Sequence, residues 1–184
     1  MNEKNNSDLT IHGAARAYFG ADYASLSQRV LDALKARHQT VVVAESCTGG
    51  GIGAALTAVP GSSAAFLGGV IAYSNALKVG LLDVPSTILE EYGAVSGPVV
   101  EAMAEGAMRG LNADWSIAVS GVAGPGGGSL EKPVGTVHFA VSGPKDTRAE
   151  AFSFDSHLSR DTIQRLSVYA GLSLLLKCLR NTPV

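Results

Sequence analysis

The run Val41-Val42-Val43-Ala44 breaks off into Glu45-Ser46-Cys47-Thr48-Gly49-Gly50-Gly51, and this change of chemistry constrains the fold more than any other stretch of the chain. An uninterrupted β-branched run predicts a strand over residues 40–45 covered on both faces, as in a parallel sheet flanked by helices. The glycines let main-chain N–H groups approach a neighbour closely, and residues 52–59 are compatible with a helix. A strand that hands a glycine-rich turn to a helix start brings partial positive charge there, which suits a phosphate or a developing oxyanion. The alternative is a packing turn in which Ser46 and Thr48 cap the helix. The spacings Gly-x-x-x-x-Gly-Lys-Ser/Thr and Gly-x-Gly-x-x-Gly are both incomplete, so the turn belongs to neither nucleotide-binding pattern.

With 184 residues, 46% of them hydrophobic, the chain has room for one well-filled core, and its 22 glycines and 6% aromatics suit an α/β protein with many tight turns. A formal net charge of -2 argues against a surface built for the nucleic-acid backbone. No run is apolar for long enough to span a bilayer, and the polar start MNEKNNSDLT lacks the core of a secretory signal, so a cytoplasmic protein with no membrane partner is expected. Two distant cysteines, Cys47 and Cys178, predict free thiols rather than a disulfide framework or a zinc site.

Residues 1–20 have no sustained periodicity and read as a flexible extension; residues 21–184 read as a single domain. Leu26, Val30, Leu31 and Leu34 recur at helical spacing and predict a helix from Tyr23 to about Arg37. After the glycine turn, Pro60-Gly61-Ser62-Ser63 breaks the chain, Ser62 or Ser63 caps a short turn, and an extended run follows around Gly69 to Tyr73. Helices are predicted over residues 76–82, 86–92 and from Ser96-Gly97-Pro98 to Leu111, and a strand from Trp115 to Ser120. A second glycine-rich loop, residues 121–128, precedes strands over residues 135–141 and 148–154, joined as a hairpin by Ser142-Gly143-Pro144. A last helix spans about Arg160 to Leu179. Together these predict a three-layer α/β/α fold: a mixed, mostly parallel sheet with helices on both faces and a late antiparallel hairpin.

Six motifs now stand in order: AESCTGG, PGSSAAF, AYSN with Lys78 close behind, GAVS, SGVAGPGGG and KPVGTV. Their series resembles the CinA C-terminal domain family, the bacterial nicotinamide-nucleotide amidohydrolases, from about Ser25 to the end. Larger members of that family carry a further N-terminal domain similar to molybdopterin-binding proteins, and this chain resembles the stand-alone form. The resemblance implies hydrolysis of the carboxamide of nicotinamide mononucleotide to nicotinate mononucleotide and ammonia, in pyridine-nucleotide recycling, with no cofactor and no metal. It also implies a catalytic serine assisted by tyrosine and lysine: Ser63 of PGSS, Tyr73 of AYSN, and Lys78 behind both. A homodimer is the favoured assembly, and a non-catalytic nucleotide-binding or interaction module in a competence or DNA-damage response is the alternative function.

The residue chemistry is compatible with such a set. A serine hydroxyl attacks an amide only when its proton is removed, and a desolvated lysine is neutral often enough to remove it. Ser46, at the tip of a strand, is the rival nucleophile, and it serves otherwise as a ligand or oxyanion contact. Cys47 is a further rival at a helix start. The four histidines give no triad: His12 falls in the N-terminal extension, His38 at a helix end, and His138 and His157 have no acidic partner that the sequence assigns. A nucleotide substrate needs an anion cradle, for which the candidates are Ser46, Thr48, Gly49 and Gly50 of the first loop and Ser120, Gly121, Gly124 and Gly126 of the second, meeting at one strand edge. Arg160 and Arg165 resemble the arginines of the family's Arg-Asp-x-x-x-Arg stretch and suit a phosphate, although His157-Leu158-Ser159-Arg160 stands where a Gly-Asp-Arg turn is common.

Overall fold

The structure, a computed structural model, describes residues 23–182; the expected N-terminal extension, with His12, lies outside them. In chain order the elements are α1 (Tyr23–Lys35), β1 (Val41–Glu45), α2 (Gly51–Thr57), a 3₁₀ turn (Ser62–Ala64), β2 (Phe66–Ile71), α3 (Asn75–Leu82), α4 (Ser86–Tyr92), α5 (Gly97–Gly110), β3 (Trp115–Gly121), β4 (Thr136–Ser142), β5 (Thr147–Ser153) and α6 (Arg160–Asn181). The strands form one mixed sheet in the order β2-β1-β3-β4-β5. β1 runs parallel to both β2 and β3, and the hairpin expected from Ser142-Gly143-Pro144 adds β4 and β5 antiparallel.

The alternation of β1 explains why every one of its residues is buried. Val41 and Val43 point into a core shared with α1, α2 and α6, where Ile117, Val119, Phe139, Leu166 and Leu175 meet them. Val42 and Ala44 point into a second core with α3, α4 and α5, around Met103, Val100 and Leu82. Full burial of each such aliphatic side chain contributes roughly 1.5–3 kcal/mol. α1 shows the expected stripe, with Leu26, Val30, Leu31 and Leu34 inward. Gly106 lets α5 lie against the end of α3, since a Cβ there would sit 1.8 Å from the Leu82 carbonyl oxygen. Both helical layers and the mixed sheet match the fold expected from the sequence.

From β1 the chain moves outward to β2 on one side, then crosses back to β3 on the other. The carboxyl ends of β1 and β3 therefore diverge into loops that run in opposite directions, the crevice where α/β sheets receive ligands.

Candidate active site

At this crevice Ser46 follows β1 directly, and its N–H donates to the Val119 carbonyl at 3.0 Å, extending the ladder one residue past the strand. The turn after it is filled by Glu45, the last residue of β1, which is fully buried. Its carboxylate accepts the Thr48 hydroxyl at 2.6 Å and the N–H groups of Gly50, Ile52 and Gly53 at 3.1, 3.0 and 2.8 Å. A negative charge at the α2 start is held by both its dipole and its unpaired donors.

That arrangement occupies several of the donors in the expected phosphate cradle at Ser46, Thr48, Gly49 and Gly50. The N–H groups of Gly50, Ile52 and Gly53 are taken by the chain's own carboxylate, and those of Gly49 and Gly51 donate to the Ser46 and Thr48 carbonyls. Thr48, Gly49 and Gly50 thus shape the turn. Ser46 alone of the four lines the adjoining pocket.

Lys78 reaches the same place from α3. Ser74 caps that helix, its hydroxyl accepting the Leu77 N–H at 3.2 Å, and this sets Lys78 on the inner face. Only 1% of Lys78 is exposed. Its Nζ lies 2.8 Å from the Ala72 carbonyl oxygen, 3.4 Å from that of Tyr73 and 3.3 Å from Ser46 Oγ. Burial holds the Lys78 amine below the ordinary lysine pKa, because it penalises the charged form.

The pocket has a volume of about 200 Å³, and Ser46, Tyr73, Lys78, Ser120, Gly121 and Arg160 are among its lining. Ser120, the last residue but one of β3, donates its hydroxyl to the Ala94 carbonyl at 2.7 Å. Arg160, the first residue of α6, spans the mouth: Nη1 donates to the Gly124 carbonyl at 2.8 Å and Nη2 to the Tyr73 hydroxyl at 3.0 Å. Arg165 instead pairs with Asp161 one turn back and does not line the pocket, and Gly126 lies exposed beyond it. A wider groove of about 450 Å³ between α5 and the β4–β5 turn gathers Glu105, Arg109, Lys145 and Asp146, with no buried ionisable group among them.

Ser63 stands apart from the pocket. It sits exposed in the 3₁₀ turn before β2, whereas Tyr73 and Lys78 come after it. The six residues of β2 put roughly 20 Å between the two ends. Within one chain the structure brings Tyr73 and Lys78 together with Ser46 and not with Ser63. Cys47 is buried and also lines the pocket, its carbonyl accepting Gln164 Nε2 at 2.7 Å, and burial pushes its thiol up to about 12. A thiol raised in this way is a poor nucleophile near neutrality.

Glu45, Asn75, Ala94 and Val95 complete the site or its support without having been expected there. Glu45 did leave a signal, a carboxylate closing an otherwise apolar buried strand. Among the described residues no group of three His, Cys, Asp or Glu side chains is arranged to hold a metal ion, and no helix is long and apolar enough to cross a membrane.

A doubly covered mixed sheet with a buried lysine set against a serine at its crevice defines an α/β protein of the CinA-superfamily type. The CinA C-terminal domain model matches residues 23–179, and the chain belongs to that family. A CinA-like protein of Parasynechococcus marenigrum is 60% identical over 161 residues, 88% of this chain and 38% of that protein. One from Anaeromyxobacter is 48% identical over 162 residues. The chain thus spans about 38% of the length of the curated relatives it matches. Among solved structures, the competence/damage inducible protein CihA of Agrobacterium tumefaciens superimposes with a TM-score of 0.83 at 36% identity, covering 88% of this chain and 97% of that one. The competence damage-inducible protein A of Klebsiella pneumoniae gives 0.84 at 34% identity, covering 89% of this chain and all of the other.

Proposed function

We propose that the protein is an amidohydrolase that converts nicotinamide mononucleotide to nicotinate mononucleotide and ammonia, with Ser46 as nucleophile and Lys78 as its base. The observation that carries this reading is the buried Lys78 Nζ, 3.3 Å from Ser46 Oγ. A neutral amine has two N–H groups and one lone pair. The Ala72 and Tyr73 carbonyls accept the two hydrogens, which leaves the lone pair to accept the serine proton.

Lys78 takes the Ser46 proton as Oγ bonds to the carboxamide carbon. The tetrahedral intermediate collapses when the lysine returns that proton to the amide nitrogen, and ammonia leaves. Water, deprotonated by the same amine, then attacks the acyl ester; the lysine returns that proton to Ser46 Oγ, and the carboxylic acid departs and gives its remaining proton to solvent. Tyr73, whose hydroxyl is already fixed by Arg160, stands at the mouth to orient the ring that carries the amide.

The pocket is small for a whole nucleotide. Its size supports entry of the amide end alone, with the phosphate remaining at the mouth beside the Arg160 guanidinium, aided by the second loop at Ser120, Gly121 and Gly124. Incubation of the purified protein with nicotinamide mononucleotide, followed by ammonia release, tests the reading. Stoichiometric binding without ammonia would instead favour a nucleotide-binding module.

A further inference from the structure

The pocket beside Ser46 is bordered by one polar side chain that the chain itself leaves unused. Ser46 and Lys78 meet each other, the Ser120 hydroxyl donates to the Ala94 carbonyl, and Tyr73 and Arg160 are joined across the mouth. Asn75 lines the same space, and its side-chain amide has no hydrogen-bond partner among the described residues. Nor does that amide serve the start of the helix. Asn75 is the first residue of α3, and the cap comes from Ser74, whose hydroxyl accepts the Leu77 N–H.

The place of Asn75 on α3 sets this amide beside the reacting groups. Asn75 and Lys78 stand at i and i+3, a spacing that puts both on one face of a helix. Both border the pocket in which Lys78 Nζ lies 3.3 Å from Ser46 Oγ. Ala94, Val95 and Ala123 give the same pocket an apolar lining, suited to the face of a flat ring. An aromatic carboxamide divides in the same way, into an apolar ring and a polar end.

We propose, on the deamidase reading of the pocket, that Asn75 recognises the carboxamide and so separates substrate from product. Its Oδ1 accepts an N–H of the substrate amide while its Nδ2 donates to the substrate carbonyl oxygen, the two bonds of an amide pair. The product cannot be held in this way. A carboxylate has two acceptor oxygens and no N–H, so whichever way the Asn75 amide is turned, Oδ1 meets another acceptor. A site built to accept a hydrogen from its ligand disfavours one that has none to give. Asn75 thus favours release of the acid once the amide has been cleaved.

Calorimetric titration of the full chain carrying Ser46→Ala measures the binding of both nucleotides without turnover. Nicotinamide mononucleotide should bind about tenfold or more tightly than nicotinate mononucleotide. Adding Asn75→Ala should bring the two within about threefold of each other, through loss of affinity for the amide. Asn75→Asp keeps an acceptor, places a negative charge where a helix start favours it, and should weaken binding of the acid further. In the chain with Ser46 intact, Asn75→Ala should lower kcat/KM by about tenfold to a hundredfold with the circular dichroism unchanged. An amide preference that survives Asn75→Ala, or turnover untouched by it, overturns the proposal. The two readings fail separately: a chain that releases no ammonia but prefers the amide through Asn75 overturns the deamidase reading and supports this one, whereas ammonia release without such a preference does the reverse. A chain that binds neither nucleotide overturns both.

Discussion

The Glu45 carboxylate accepts the Thr48 hydroxyl at 2.6 Å inside a buried turn, and the same carboxylate ties down three N–H groups at the start of α2. Ser46 is held between this plug and the β1–β3 ladder. The place of Ser46, the proposed nucleophile, therefore depends on a residue that does not line the pocket.

Glu45→Gln keeps the shape but turns an amide NH₂ toward groups that are themselves donors. Leaving buried donors unpaired costs about 1–3 kcal/mol each at most sites. We expect destabilisation of about 3 kcal/mol, read by denaturant melts, together with a loss of turnover. An unchanged midpoint would mean that the turn is held by other means.

Burial lowers the Lys78 pKa, so the sign of its pH dependence is set. The unfolded chain binds a proton up to the ordinary lysine value while the folded chain releases it earlier, so between the two values stability rises with pH. Wild type should be penalised relative to Lys78→Met at low pH, and the gap should narrow as pH rises through the folded value toward 10.5. The same titration should appear as the acid limb of kcat/KM, with activity rising as Lys78 becomes neutral. Activity that falls over that range would assign Lys78 to an electrostatic role.

Arg160 offers the cation nearest the pocket mouth. Arg160→Ala should cost on the order of tenfold to a hundredfold in kcat/KM for nicotinamide mononucleotide and little for nicotinamide riboside, which lacks the phosphate. Equal losses for both would place the phosphate elsewhere and leave Arg160 as a support for Tyr73.

Cys47 adjoins the proposed nucleophile, but its thiol, pushed up to about 12, is almost wholly protonated near neutrality. Cys47→Ala should retain turnover within a fewfold, and iodoacetamide should leave activity unaffected. Rapid inactivation by the reagent with modification mapped to Cys47 would bring the thiol back into the mechanism.

The fold was legible because β1 carries its signal in consecutive residues: four apolar positions and a glycine turn admit few structures, and the helices on either side announce themselves by spacing or by a Ser-Gly-Pro start. The site was legible only in pieces. Tyr73 and Lys78 stand five residues apart and arrive together, but whether Ser46 or Ser63 joins them depends on which end of β2 faces the crevice, and strand order is not written in local pattern. The filling of the first glycine loop was hidden for a similar reason. Its free N–H groups were counted from the glycines, while the acceptor that fills them, Glu45, reads in sequence as the last residue of a strand.

The pairing of Lys78 Nζ with Ser46 Oγ carries the whole account, and ammonia release from nicotinamide mononucleotide by Ser46→Ala and Ser63→Ala, measured side by side, tests it most directly. Ser46→Ala should fall by about three or more orders of magnitude while still binding the nucleotide, and adding Lys78→Ala to it should cost little more, since the two act as one unit. Ser63→Ala should remain within severalfold of wild type. A dead Ser63→Ala beside an active Ser46→Ala would contradict the account and move the nucleophile to the turn before β2.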